Sequence, residues 1–304
     1  MTNGAIALAT SPARTESSLR FERVLFTTDF SETSLRALPL AAAIARTLGS
    51  ELKVIYGLMP GDQIFAVPEF TADVTTTLKN AADDRLTALK KWPALKGLTV
   101  TTEVYQNWLG SVAQQIAEND VDLIVIATHG SRGIRHLLLG SVAEEVIHTA
   151  ARPVLTIGPH ANPAAESEFS PKHILFATDT TPDSFRALPY ALQFAKRQSC
   201  EITLLHVLQK TLGKSPEAEA FAALMRDGLH NTIPLTAIKA CNPEILVHFG
   251  DPVKEILNIA RDRGTELIVM GSRSNNKRAT FSRSVSYGVI AQASCPVLTI
   301  RGRN

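Results

Sequence analysis

The sequence predicts an α/β protein of two tandem, doubly wound domains, each built on a five-stranded parallel sheet. Three observations carry this. The chain repeats itself in order, short apolar runs alternate with helical patterns, and residues 121–157 read as strand, glycine-bearing loop, helix and strand.

The repeat sets the organisation. Val24-Leu25-Phe26-Thr27-Thr28-Asp29 recurs as Ile174-Leu175-Phe176-Ala177-Thr178-Asp179, and Arg36-Ala37-Leu38-Pro39 as Arg186-Ala187-Leu188-Pro189, both at an offset of 150. Gly110 and Ile116 answer Gly250 and Ile256, Asp122–Val125 answers Glu266–Val269, and Pro153–Ile157 returns as Pro296–Ile300. Matches kept in one order mean two copies of one domain, each of about 140 residues, an ordinary domain size. The expected division is a frayed tail over 1–20, a first domain over 21–158, a linker over 159–171 and a second domain over 172–304. The segment Gly158–Pro171 is rich in Pro, Ala, Ser and Glu without periodicity, which suits a linker.

Within the first copy, Arg23–Thr28 is a strand. Ser31–Gly49 is a helix with apolar positions at Leu35, Leu38, Ala42, Ala45 and Leu48. Pro39, and Pro189 in the second copy, stand inside that helix and are expected to bend or loosen a turn. Glu51–Leu58 is the second strand, 60–70 a loop, 71–91 a helix, Leu98–Tyr105 an alternating strand and Ser111–Glu118 a helix. Leu123–Ala127 is an uninterrupted apolar run, the pattern of a strand buried on both faces of a parallel sheet. A loop with Gly130 and Gly133 follows. Gly140-Ser141 then opens a helix through Val142, Val146 and Ile147, and Pro153 introduces the last strand, Val154–Ile157. Strands alternating with helices imply right-handed crossovers and helices on both faces, with ligands bound outside the strand carboxyl ends where the strand order reverses. Asp29, Gly57 and the loop after Ala127 all stand at such ends. Glycines admit a ligand to the backbone, and the Ser141 hydroxyl and the N–H groups of a helix start suit an anion, so this stretch reads as a phosphate cradle.

Composition narrows the function classes. Hydrophobic residues are 45% and charged residues 20% of 304, as in a packed globular protein, and the net charge of +2 argues against nucleic acid or an anionic membrane surface as partner. Cys200, Cys241 and Cys295 are far apart and form no CxxC, so they read as buried thiols of a reducing compartment rather than a disulfide frame or zinc site. No apolar run approaches the ~20 residues of a membrane span, and Met1–Arg20 lacks the basic start of a secretory signal. A cytoplasmic location is expected.

These residues together resemble the universal stress protein family in tandem form. Val24–Glu32 is similar to the family's opening strand and acidic turn. Its nucleotide-binding subset carries glycine, two residues, glycine, nine residues, then glycine with serine or threonine. Here the pattern stands as Ala127, Thr128-His129, Gly130, nine residues, Gly140-Ser141. Only the first glycine departs, replaced by alanine. The resemblance covers residues 21–157 and 172–301. It implies a Rossmann-like fold of the adenine nucleotide alpha hydrolase type, with ATP over the carboxyl edge of the first copy. Asp29, with Thr28 beside it, would then lie near the adenosine or ribose, and the Gly57 backbone would meet adenine. Ala127 and Gly130 would line the ribose and phosphate path, and Gly140, Ser141 and Val142 would hold phosphates, with Mg²⁺ reaching the site through the phosphates near Asp29. It also implies that the strands ending the two copies meet in a pseudo-twofold pair, with a homodimer as its extension.

The second copy departs further. Its stretch is Gly271-Ser272-Arg273-Ser274 and, after a span one residue shorter, Arg283-Ser284-Val285. Asp179, Val207, Gly271, Ser274 and Ser284 mark the corresponding, degenerate site. There Ser274 and Arg283 replace glycines, unless Arg283 itself takes up a phosphate.

Simpler readings stand beside these. Taken alone, Gly130, Gly140 and Ser141 suit an ordinary loop and helix start, and Asp29 suits a capping aspartate ahead of Ser31. The strand–loop–helix context with Asp29 favours the nucleotide site. His129 and Arg132 suit a solvated loop face, His136 and His148 the surface, and His206 and His248 partly buried structural places. Trp92 and Trp108 suit packing at the core or its rim. Leu212-Gly213-Lys214-Ser215 resembles the end of a P-loop, but Leu208 stands where the first glycine is needed. No GxSxG, HExxH or paired-cysteine pattern supports a serine hydrolase or zinc enzyme. The leading function is a non-enzymatic ATP-binding regulator. The alternatives are slow hydrolysis of ATP or another phosphate ester, for which no general base stands out, and a nucleotide-free assembly scaffold.

Overall fold

The computed structural model describes residues 19–58, 71–106, 111–128, 139–161, 168–198, 200–208, 215–272 and 284–301. The first copy runs β1 (Arg23–Thr28), α1 (Glu32–Leu48), β2 (Glu51–Leu58), α2 (Thr71–Leu89), β3 (Val100–Gln106), α3 (Val112–Ala117), β4 (Leu123–Ala127), α4 (Ser141–Thr149) and β5 (Val154–Ile157). The second runs β6 (His173–Thr178), α5 (Pro182–Phe185), α6 (Leu188–Gln198), β7 (Glu201–Leu208), α7 (Pro216–His230), α8 (Leu235–Cys241), β8 (Glu244–Phe249), α9 (Pro252–Asp262), β9 (Leu267–Ser272), α10 (Val285–Gln292) and β10 (Val297–Arg301).

Each copy orders its parallel strands alike, 3-2-1-4-5 and 8-7-6-9-10, so the order reverses between β1 and β4 and between β6 and β9. The two sheets are not separate. β5 and β10 pair antiparallel, with Thr156 opposite Val297, Leu155 opposite Leu298 and Val154 opposite Thr299, and the result is one ten-stranded sheet. The threonine hydroxyls at this seam are buried and reach across it, Thr156 Oγ1 to the Val297 carbonyl at 3.0 Å and Thr299 Oγ1 to the Val154 carbonyl at 3.2 Å.

Alternation within the buried strands feeds two apolar layers. Val24, Phe26, Leu123 and Val125 belong to the layer that includes α1, α2 and α6, whereas Leu25, Ile124 and Ile126 belong to the layer of α3, α4, α9 and α10. Both layers run through the two copies. Phe21 packs on Tyr190 and Phe194, Phe169 meets Phe194 edge-on, and the Phe169 N–H donates to Thr47 Oγ1 at 2.9 Å. The described ends of the segment with linker composition therefore bury Ala161 and Phe169 in the core.

Local chemistry explains the element ends. Ser31 caps α1 by accepting from the Ser34 N–H, and Gly49 ends it at φ 69, where a side chain is strained. Asp122 accepts the Glu22 and Arg23 amides at 2.8 and 3.0 Å, anchoring the chain as it enters β1 beside β4, and Glu266 accepts the Lys172 amide in the same way. The helix expected over 71–91 ends at Leu89 and is followed by a short 3₁₀ turn at Pro93–Leu95.

The two prolines behave differently. α1 continues through Pro39, whereas the second copy breaks into α5 and α6 just before Pro189. The cysteines also divide. Cys200 and Cys295 are buried, with thiols pushed up to about 11 and about 12 mainly by burial, while Cys241 is only partly buried.

At the amino ends of the second copy's strands lies an ordered polar chain. Thr203 Oγ1 donates to Glu244 Oε2 at 3.3 Å, so it accepts from His173 Nε2 at 2.9 Å, and His173 Nδ1 takes the Thr265 hydroxyl at 2.8 Å. Burial first, and the Arg263 charge second, hold the His173 imidazole below its ordinary value of 6.5. The unfolded chain binds the proton more readily, so this contribution is complete above the unfolded pKa of about 6.5 and is lost as pH falls from there through the folded value. Thermal melting across that window is expected to show a midpoint falling with acidification, with a shallower dependence in His173→Gln.

Candidate functional site

The order reversal between β1 and β4 is where the site must form, and both strands deliver a turn there. Thr27 pairs with Ile126, so Asp29 and Thr128 leave neighbouring strands side by side. After β1 the chain makes a tight turn. Phe30 takes a left-handed φ of 58, its N–H donates to Thr28 Oγ1 at 2.9 Å, and Thr28 Oγ1 meets Ser34 Oγ at 3.0 Å. Asp29 Oδ1 accepts the Ser31 N–H at 2.9 Å. The capping expected of Asp29 therefore falls to Ser31, and the half-buried aspartate braces the capping residue instead.

The second copy repeats this turn. Thr180 stands at φ 64, Thr178 Oγ1 meets Ser184 Oγ at 2.8 Å, and Asp179 Oδ1 accepts from the Thr181 amide and hydroxyl. A left-handed residue costs of order 1 kcal/mol, more when β-branched as Thr180 is, so a shape kept in both copies at that cost is set by its surroundings.

The β4 end closes on itself. Thr128 is fully buried and its N–H donates to the Ile157 carbonyl, while its own carbonyl accepts from the Gly140 N–H at 2.7 Å. The chain thus returns to the point it left, and α4 starts beside the strand end. Gly140 is the N-cap of α4 and contributes no side-chain cap, so the first-turn amides of Ser141, Val142 and Ala143 receive nothing from it. A Cβ on Gly140 would stand 3.3 Å from the Thr128 carbonyl, so the tight return itself favours glycine. One carboxylate, Glu144, lies in the first turn of α4 and opposes an anion there.

The matching helix of the second copy is finished differently. Ser284 steps out of the helix, becomes the N-cap of α10 and accepts the Tyr287 N–H at 3.1 Å. Ser141 and Ser284 are equivalent in sequence, yet one is the first helical residue behind a bare glycine and the other is itself the cap. Val207 stands in place of Gly57, and His206, in place of Tyr56, is buried with Nδ1 donating to the Thr178 carbonyl at 2.8 Å. The second copy spends its own side chains where the first leaves backbone.

Gly57 and Gly271 have packing reasons of their own. A Cβ at Gly57 would meet Val112 Cγ1 at 2.4 Å, so the space beside it belongs to α3 and only its backbone polar groups remain for a ligand. A Cβ at Gly271 would meet the Ser184 Cα at 2.4 Å and the Asp183 carbonyl at 2.7 Å. α5 thus lies directly on β9, where the first copy has Ala127 at the equivalent place.

The residues predicted at Thr28, Asp29, Gly57, Ala127, Gly140, Ser141 and Val142 share the carboxyl edge around β1 and β4. Asp179, Val207, Gly271 and Ser284 share the equivalent edge around β6 and β9. Gly130 and Ser274, with His129, Arg132, His136, Trp108, Arg283 and the 212–214 segment, lie outside the described residues. Sequence reasoning missed an aromatic stack at this edge. The Phe30 ring lies 4.9 Å from Tyr56, with the Arg85 guanidinium 4.1 Å above Phe30. The turn that sets Phe30 left-handed turns it onto β2, which no periodicity reports. Among the described residues no cluster of three His, Cys, Asp or Glu is placed to hold a metal, and no helix is long and apolar enough to cross a membrane.

Fold and site together define a tandem doubly wound α/β protein with a bare helix start at the switch point of one copy and a self-capped one in the other. The model of the universal stress protein family matches the chain twice, over 20–158 and 171–301, and the chain belongs to that family. Universal stress protein YxiE of Bacillus subtilis is 32% identical over 144 residues, covering 42% of this chain and 97% of that protein. Universal stress protein MJ0531 of Methanocaldococcus jannaschii is 31% identical over 139 residues, 45% of this chain and 82% of that one. The crystal structure of a universal stress protein from Archaeoglobus fulgidus shares the fold, with a TM-score of 0.71 at 21% identity over 93% of this chain and 98% of the other.

Gly57→Ala is expected to destabilise the protein by about 1–3 kcal/mol through overpacking, with Val112→Ala restoring much of the loss. Gly271→Ala meets backbone that cannot rotate away and is expected to cost more. Chemical denaturation midpoints of the two variants and the double variant measure this.

Proposed function

We propose that the first copy binds an adenine nucleotide and that its occupancy tunes the shape or partner affinity of a non-enzymatic regulator. The observation that carries the reading is the start of α4: a helix end at the switch point, opened by a glycine with no capping side chain, beside the braced Asp29 turn. Such an end favours a phosphate through its N–H groups and the helix dipole. In this reading Ser141 and Val142, with Gly140 giving access, would hold the phosphates, Ala127 and Gly130 would line their path, Thr28 and Asp29 would lie toward the ribose, and the Gly57 backbone would meet the base. ATP brings to that place a polyanion able to carry Mg²⁺ near Asp29. The second copy, capped by Ser284 and filled by Val207, is a degenerate site that serves structure, and the regulator works in the cytoplasm.

The test is retention of labelled ATP by the purified full chain, with phosphate release followed in the same samples. Retention without turnover is expected, and Gly140→Arg, which fills the phosphate path, should weaken binding about ten-fold or more, equivalent to about 1.4 kcal/mol. No retention at millimolar nucleotide removes the proposal, and release above buffer replaces the regulator with a hydrolase.

A further inference from the structure

Both ends of α4 are held by the second copy. At its start, the Leu139 N–H, one residue before the N-cap, donates to the Tyr287 hydroxyl at 3.4 Å. At its end, Arg301 Nη1 donates to the Thr149 carbonyl at 3.1 Å. Tyr287 is itself fixed: the residue is 8% exposed, and its own N–H is taken by Ser284 Oγ. The same serine that closes the second copy's helix start thus holds the tyrosine that reaches the first.

The seam makes these contacts one-sided. Equivalent residues of the last helix and strand differ by 143, as Leu155 and Leu298 do. Tyr287 therefore stands where the first copy has Glu144, and Arg301 where it has Gly158. Gly158 approaches α10 with backbone alone, a Cβ there lying 3.1 Å from the Ile290 carbonyl. The first copy offers glycine to its neighbour's helix, and the second offers a hydroxyl and a guanidinium. Arg301 also sets a positive charge against the carboxyl end of α4, where a helix favours it.

We propose that the second copy is a clamp that positions the first copy's phosphate-binding helix, with the Tyr287 hydroxyl as the positioning group at the binding end. This rests on the nucleotide reading above. An amide array holds an anion tightly only when its direction is fixed beforehand. A hydroxyl that holds the residue entering the N-cap fixes the path into the first turn.

The test compares ATP with adenosine, which lacks the phosphates, on full-length wild type, Tyr287→Phe and Arg301→Met by calorimetry. Tyr287→Phe removes one hydroxyl and is expected to weaken ATP about three- to ten-fold, the range of a single hydrogen bond, with adenosine binding and the melting midpoint retained. Amide exchange at Leu139 should accelerate in the same variant. Arg301→Met is expected to show a smaller loss of the same kind, and it carries the comparison if Tyr287→Phe does not fold. Unchanged ATP affinity, or equal losses for ATP and adenosine, overturns the clamp and leaves the nucleotide reading standing. A wild type that binds neither overturns both.

Discussion

The antiparallel pairing of β5 with β10 is the contact on which the rest of the architecture depends. A five-stranded sheet of this order has two exposed edges, and the edge at the last strand is an apolar run of Val, Leu, Thr and Ile. Unpaired, such an edge invites association. Here each copy's last strand covers the other's, and the two threonine hydroxyls on that line satisfy carbonyls that water cannot reach. Once the strands meet, the helices flanking them meet as well. The layer formed by α3, α4, α9 and α10 is continuous for that reason, and Leu139 comes against Tyr287 although 148 residues separate them.

Within this shared frame the copies have taken opposite solutions to one problem, the unsatisfied N–H groups of a helix start. α10 satisfies one with Ser284, while α4 begins behind a glycine. Against a serine cap a glycine costs the helix only about a few tenths of a kcal/mol, and it leaves the first-turn donors without an acceptor from the cap side chain. The turns after β1 and β6 show the reverse. There both copies hold the same strained conformation, so that turn belongs to the fold rather than to one site.

Much of this could be read along the chain because it is written locally. The limits of β1, β2 and β4 follow from apolar runs with polar borders, and the helix expected over Ser31–Gly49 forms, although Ser31 rather than Asp29 caps it. What could not be read depends on distant neighbours. The same Arg-Ala-Leu-Pro string lies within one helix in the first copy and spans a break in the second, where α5 packs against Gly271 of a distant strand. Two equivalent serines take different helical positions. The Phe30, Tyr56 and Arg85 stack joins three elements that share no sequence period.

The symmetric register of the seam about the Leu155–Leu298 pair has a consequence for how the chain holds together in dilute solution. A self-pairing edge on two separate chains would join them only reversibly and release them below some concentration. Tethering replaces that bimolecular equilibrium by an effective concentration fixed by the connecting segment, commonly of millimolar order. Identity is no longer enforced by symmetry either. A change that would strike both partners of a homodimer at once strikes only one half of this chain, which gives Tyr287 and Glu144 the freedom to differ.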